Sequence, residues 1–196
     1  MGTAMSSREE PEGEDDYRRQ QVQGAVDSAM QHNAEVKHLM WAMEQRGCPI
    51  VDTSSFFIVK RCDRDVMGGF RPFPPEAGIV LCHNHLQTKS EVENTMVHEL
   101  IHAFDHCRAK IDWGNCRHHA CSEVRAANLS GDCSWWRELA RGHLNFRGQH
   151  QKCVKRRAQL SIAMNPACRT RDEQVDALES CYPSCFADTA PFGKIP

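Results

Sequence analysis

His98-Glu99-Leu100-Ile101-His102 sets two histidines four residues apart, with a glutamate beside the first. A helix turns about 100° per residue, so positions i and i+4 stack on one face. Two imidazoles so placed can take adjacent corners of a tetrahedral zinc. Glu99 is offset around the helix from both rings, where it can take a proton from water that the metal activates without itself ligating the ion. That is the HExxH arrangement of zinc hydrolases. Because the pattern fixes only three residues in five, it recurs in unrelated proteins, and the flanking sequence has to carry the reading.

The flanks agree with it. Lys89-Ser90-Glu91-Val92-Glu93 reads as a helix start, with Ser90 as N-cap and Glu93 completing a capping box. Val97, Leu100, Ile101 and Phe104 fall on one stripe at i, i+3, i+4 and i+7, while His98, His102 and Asp105 share the adjoining side. One face is expected to pack and the next to bind. An ordinary amphipathic helix with surface histidines would require neither Glu99 nor Asp105 on the imidazole side.

A catalytic zinc takes three protein ligands and keeps one position open. The preferred third ligand is Glu123, in a stretch from His118 to Asn128 that reads as a second helix. There Ala120, Val124 and Ala127 form a small-residue face suited to close packing against the motif helix, and Gly131 stands near the C′ position. Asp105 on the first helix and His119 one turn before Glu123 compete for the role. Whichever residues do not ligate are expected to orient the imidazoles by hydrogen bonds.

The linked segments extend from Gly68-Gly69-Phe70 and Ile79-Val80-Leu81-Cys82 through His98–Arg108, Asp112-Trp113, Ala120–Ala126 and Leu129–Cys133 to Pro191-Phe192-Gly193-Lys194-Ile195-Pro196. Together they resemble the mitochondrial intermembrane-space metalloproteases that mature the proton-channel subunit of ATP synthase, a family also described as Ku-binding proteins. The resemblance covers roughly residues 40–196. It implies that His98 and His102 bind zinc, that Glu99 is catalytic and that the substrate is the precursor of an ATP synthase membrane subunit. It further implies a chaperone-like role in assembling the membrane sector. The alternative from a different class is a non-catalytic scaffold, Ku-associated and acting in DNA double-strand break repair.

At 196 residues, with 40% hydrophobic and 26% charged residues and a net charge of −2, the composition fits one globular enzyme domain. No charge bias points to nucleic acid, and nothing resembles a DNA-reading module. No apolar run approaches the roughly 20 residues of a transmembrane helix, so membrane contact is expected to be peripheral. Residues 1–20 read as a disordered acidic leader, neither secretory signal nor transit peptide, and residues 21–196 as the metalloprotease domain. Val22, Val26, Met30, Val36, Leu39, Met40 and Met43 suggest one broken amphipathic helix or two, ending at Gly47-Cys48-Pro49. Ile50-Val51, Phe56–Val59 and Gly78–Cys82 read as strands, with a turn-rich stretch at 68–75. Ile79–His83 is the candidate edge strand for holding an extended peptide. The expected fold is therefore α+β: a mostly helical, zincin-like metalloprotease domain with a small sheet before the HExxH helix, holding one catalytic zinc and no other cofactor.

Eleven cysteines without a CxxC spacing fit disulfides that staple loops and helices, and the odd number leaves at least one thiol unpaired. An oxidising compartment follows, which the resemblance identifies as the intermembrane space, with the chain peripheral on the inner membrane. Reduced cysteines in cytosol or nucleus are the alternative. The carboxyl third reads as helical, with Trp135, Trp136, Leu139 and Leu144 as a packing face. Its basic run (Arg137, Arg141, Arg147, Lys152, Lys155, Arg156 and Arg157) is expected to be a solvated face before a lipid-binding one. Arg125, His119, His143 and His150 are candidate donors to a developing oxyanion.

Overall fold

The computed structural model describes residues 12–142 and 148–196. Two helices open the chain, α1 (Glu12–His32) and α2 (Ala34–Gln45). The break between them falls at Asn33, whose side chain accepts from the Val36 amide and caps α2. Helix α1 begins inside the stretch that acidic composition assigned to a leader. Asp15 there pairs with Arg61 at 2.5 Å and stands 3.7 Å from the buried ring of His83, so tertiary partners hold the acidic turns in place. The leader's residues 1–11 lie outside the described residues, as do His143, Leu144 and Arg147.

A short helix α3 (Thr53–Phe56) leads into β1 (Phe57–Lys60), β2 (Gly68–Arg71) and β3 (Gly78–Cys82). Their order in the sheet is β1-β3-β2, parallel between β1 and β3 and antiparallel between β3 and β2. Three sequence expectations change here. Ile50-Val51 forms no strand, and Val51 is 92% exposed. The turn-rich stretch contains strand β2. The segment proposed as the peptide-holding edge is central, with all five residues of β3 buried and both its sides hydrogen-bonded. The strand with a free edge nearest the HExxH helix is β2. It comes close because Gly68 has no side chain: a Cβ there would meet Thr95 Cγ2 at 2.7 Å and the Val80 carbonyl oxygen at 2.8 Å.

The HExxH residues lie on α4 (Lys89–Arg108). Its N-cap is Thr88 rather than Ser90, and the capping box is closed by Glu91, whose carboxylate accepts from the Gln87 and Thr88 amides. Both Thr88-x-x-Glu91 and Ser90-x-x-Glu93 satisfy the pattern, and the earlier one caps two further amides. Val97, Leu100, Ile101 and Phe104 are buried as the stripe requires. Full burial of a side chain such as Leu100 is worth about 1.5–3 kcal/mol. Helix α5 (Cys116–Leu129) follows, ending at Ser130 before Gly131, which takes φ 76° at C′. The chain closes with α6 (Trp135–Ala140), α7 (Gln149–Met164) and α8 (Arg171–Ala187).

Two cores result. One gathers α1, α2, the sheet and the apolar stripe of α4; the other gathers α5, α7 and α8. Helices α4 and α5 meet at the seam, and the HExxH side chains stand there. Five disulfides pin the layers: Cys48–Cys107, Cys62–Cys82, Cys116–Cys168, Cys121–Cys185 and Cys133–Cys153, which leaves Cys181 as a buried free thiol. The packing face expected at Trp135 and Trp136 is not one. These rings are 42% and 72% exposed and pack edge to face on each other, while the buried residue of α6 is Glu138. Of the basic run, Arg141, Lys155, Arg156 and Arg157 pair with Asp132, Glu138 or Glu179. No described helix is long and apolar enough to cross a membrane.

Candidate active site

His98 and His102 project from successive turns of α4, their rings 4.9 Å apart and nearly perpendicular. Glu123 reaches the same point from α5, which joins the first core through Ala126 and Leu129, while the small-residue face of Ala120, Val124 and Ala127 expected against α4 instead packs into the second core. Its oxygens lie 3.6 Å from His98 Nε2 and 3.5 Å from His102 Nε2. The ligand atoms of the three residues fall within 4.8 Å of one another. A tetrahedral ion with arms of about 2.0–2.2 Å has edges of about 3.3–3.6 Å, so the donor set fits a metal ion. Glu123 Oε2 is buried without a hydrogen-bond partner, an arrangement that costs free energy unless something cationic faces it.

The electrostatics follow from burial at the seam. Burial works against ionising Glu123, but the imidazoles of His102, His119 and His98 grouped around its oxygens, with His119 Nε2 3.1 Å from Oε1, hold its carboxyl well below the usual range. Burial keeps His102 neutral, down to about 3, the form a metal ligand needs. Burial also opposes charging His98, yet Glu123 and the neighbouring Glu99 carry it up to about 9. Glu99 is itself buried, and burial with the nearby Glu123 charge pushes it up to about 7 against the opposing pull of His98 and of the Phe70 backbone of β2. A carboxyl poised near neutrality can both take and return a proton.

The two competing ligands stand outside the cluster. His119 Nε2 lies 3.1 Å from Glu123 Oε1. Asp105 is one turn further along α4, turned toward Arg125 and Arg108. Of the oxyanion candidates, Arg125 is buried and spent on Asp105 and Asp188. His150 bonds the Cys133 carbonyl and Asn128, and among the described candidates only His119 is beside the cluster. Two features had no sequence signal. Ser122 bonds His102 Nδ1 at 2.8 Å, and Trp113 packs its ring 6.0 Å from that of His102 and 6.1 Å from that of His119. A cleft opens on the site, with Met67 and Gly68 on the strand side and Leu160 and Met164 of α7 opposite.

A model of the Peptidase M76 family matches residues 20–193. The mitochondrial inner membrane protease ATP23 of Malassezia globosa is 47% identical over 169 residues, 81% of this chain and 69% of that protein. Its namesake in Schizosaccharomyces pombe is 48% identical over 135 residues, covering 68% and 71%. The human ATP23 homolog is 45% identical over 170 residues, covering 85% and 67%. No solved structure matches the chain.

Proposed function

The chain belongs to the Peptidase M76 family, and from that premise we propose that it is a zinc endopeptidase working at the mitochondrial inner membrane on the intermembrane-space side. The observation that carries the reading is the convergence of His98, His102 and Glu123 from two helices, with Glu99 beside them and outside the ligand triangle. These residues would hold one zinc, which supplies Lewis acidity toward water and the scissile carbonyl when bound. The chain's own groups handle the protons. Glu99, buried beside the ligands and pushed up to about 7, takes one from the attacking water and returns it to the leaving amine.

The free edge of β2 is proposed to hold an extended peptide by main-chain hydrogen bonds, with Met67, Leu160 and Met164 along the cleft meeting its side chains. Five disulfides support an oxidising compartment. The family resemblance supports the precursor of an ATP synthase membrane subunit as substrate, together with a role in its assembly. The test is Glu99→Gln, which keeps the shape and removes the base. It is expected to retain metal and melting temperature while losing hydrolysis of a peptide spanning the precursor's cleavage site. Full hydrolysis by that variant would refute the assigned chemistry.

A further inference from the structure

Two pairs of residues face each other across the α4–α5 seam: His102 and Asp105 on α4, and Ser122 and Arg125 on α5, each pair spaced i, i+3. The four are buried, Arg125 to 1% exposure. The Ser122 hydroxyl accepts from His102 Nδ1 at 2.8 Å and donates to Asp105 Oδ2 at 3.2 Å. That fixes the imidazole tautomer, with the proton on Nδ1 and the Nε2 lone pair facing Glu123. Arg125 Nε in turn donates to both oxygens of Asp105, at 2.9 and 3.0 Å. Its two remaining nitrogens donate to the carbonyls of Asp188 and Ala190, beyond the end of α8. Arg108 closes the ring by bridging Asp105 and Asp188.

The segment Asp188–Phe192 is held from its far side as well. The Pro191 carbonyl accepts from His38 Nε2 of α2 at 3.2 Å, and Phe192 stacks on the His38 ring at 5.3 Å while packing against the first core. A buried guanidinium is costly unless its donors are matched. Here the matching acceptors on one side are the main-chain carbonyls of this strap. The strap therefore decides whether Arg125 sits where it can hold Asp105.

We propose that the strap Asp188–Phe192, acting through Arg125, Asp105 and Ser122, is a positioning element that sets the orientation and tautomer of the metal-ligating ring of His102. The inference rests on the metal reading above and adds the residues that tune it. Ser122, Asp105 and Arg125 are positioning residues, none of them a ligand.

The test uses the full chain, with zinc affinity measured by competition with a chromogenic chelator and ligand geometry read from the visible absorption of the cobalt-substituted protein. Ser122→Ala is expected to weaken zinc binding about 10–100-fold and to alter the cobalt bands, with the metal-free melting temperature nearly unchanged. Phe192→Ala, which frees the strap without touching the network, is expected to weaken zinc binding in the wild-type background and to add less than about two-fold in the Ser122→Ala background. Should Ser122→Ala fail to fold, the isosteric Asp105→Asn takes its place with the same expectation for zinc affinity and cobalt bands and with a lowered melting temperature, since Arg125 and Arg108 lose a charged partner. Wild-type affinity and cobalt bands in the Ser122 variant would overturn the proposal. So would a Phe192→Ala effect that is absent in the wild type or equal in both backgrounds. Failure of the wild-type chain to bind zinc at all would instead sink the metal reading beneath it.

Discussion

Removing the Cys121–Cys185 bond by Cys121→Ala with Cys185→Ala should be among the most damaging changes that leave every site residue in place. The bond ties α5, which carries Glu123, to α8 across a sequence separation of 64. Because the overlapping Cys116–Cys168 bond remains, the loop this bond closes is only about 22 residues, and the chain-entropy treatment gives about 3 kcal/mol of constraint on the unfolded state, close to that for the separation of 20 at Cys62–Cys82. For a domain of this size each kcal/mol moves the melting temperature by about 2–4 °C, so a fall of about 10 °C is expected. Urea unfolding followed by tryptophan fluorescence, without reductant, measures both double variants directly. The two variants should lose nearly the same stability, about 3 kcal/mol each. A loss below about 1 kcal/mol for the Cys121–Cys185 variant, or one larger than its counterpart's by more than about 2 kcal/mol, would refute the reasoning.

Thr88→Ala should cost about 1 kcal/mol through loss of the α4 cap, whereas Ser90→Ala should fall within about 0.5 kcal/mol of wild type; thermal melts of the two variants separate the capping boxes. Acid should destabilise the fold. Hydrogen bonds from Gln149, Arg141 and Arg156 hold Glu138 below its ordinary value despite its burial, and Arg108 and Arg125 do the same for Asp188. Carboxyls depressed in the folded state contribute stability that is present above their unfolded pKa of about 4 and lost as pH falls through the folded value. Denaturation midpoints from pH 7 to pH 3 should drop below about pH 4, and Glu138→Gln should flatten that drop.

What the sequence revealed follows from what helical periodicity encodes. The apolar stripe of α4 and the small-residue face of α5 rest on spacings of three and four within single helices, and Glu123 as candidate third ligand rests on ligand chemistry; the structure buries the stripe, turns the small-residue face into the second core rather than against α4, and brings His98, His102 and Glu123 together at the helix seam. Asp105 and His119 were legible as neighbours but not separable from ligands, because only tertiary packing turns Asp105 toward Arg125. Strand β2 was hidden because Gly68-Gly69-Phe70-Arg71 has no alternation to read; its Gly68 answers to the closeness of Thr95 on α4. A wholly buried segment such as β3 has no exposed face to distinguish edge from centre. Trp135 and Trp136 were expected inside on hydrophobicity alone, which is a weak guide for single large side chains. The disulfide pairing and the Ser122–Arg125 network join residues distant in sequence, and no local pattern marks them.

The central claim is a single zinc held by two histidines of α4 and a glutamate of α5, and the zinc-to-protein ratio of the purified chain tests it most directly. One zinc per chain is expected in the wild type and in Glu99→Gln, with loss of the ion in Glu123→Ala. A wild-type chain purified without zinc and unable to take it up, or a Glu123→Ala chain that still holds one equivalent, would contradict the account.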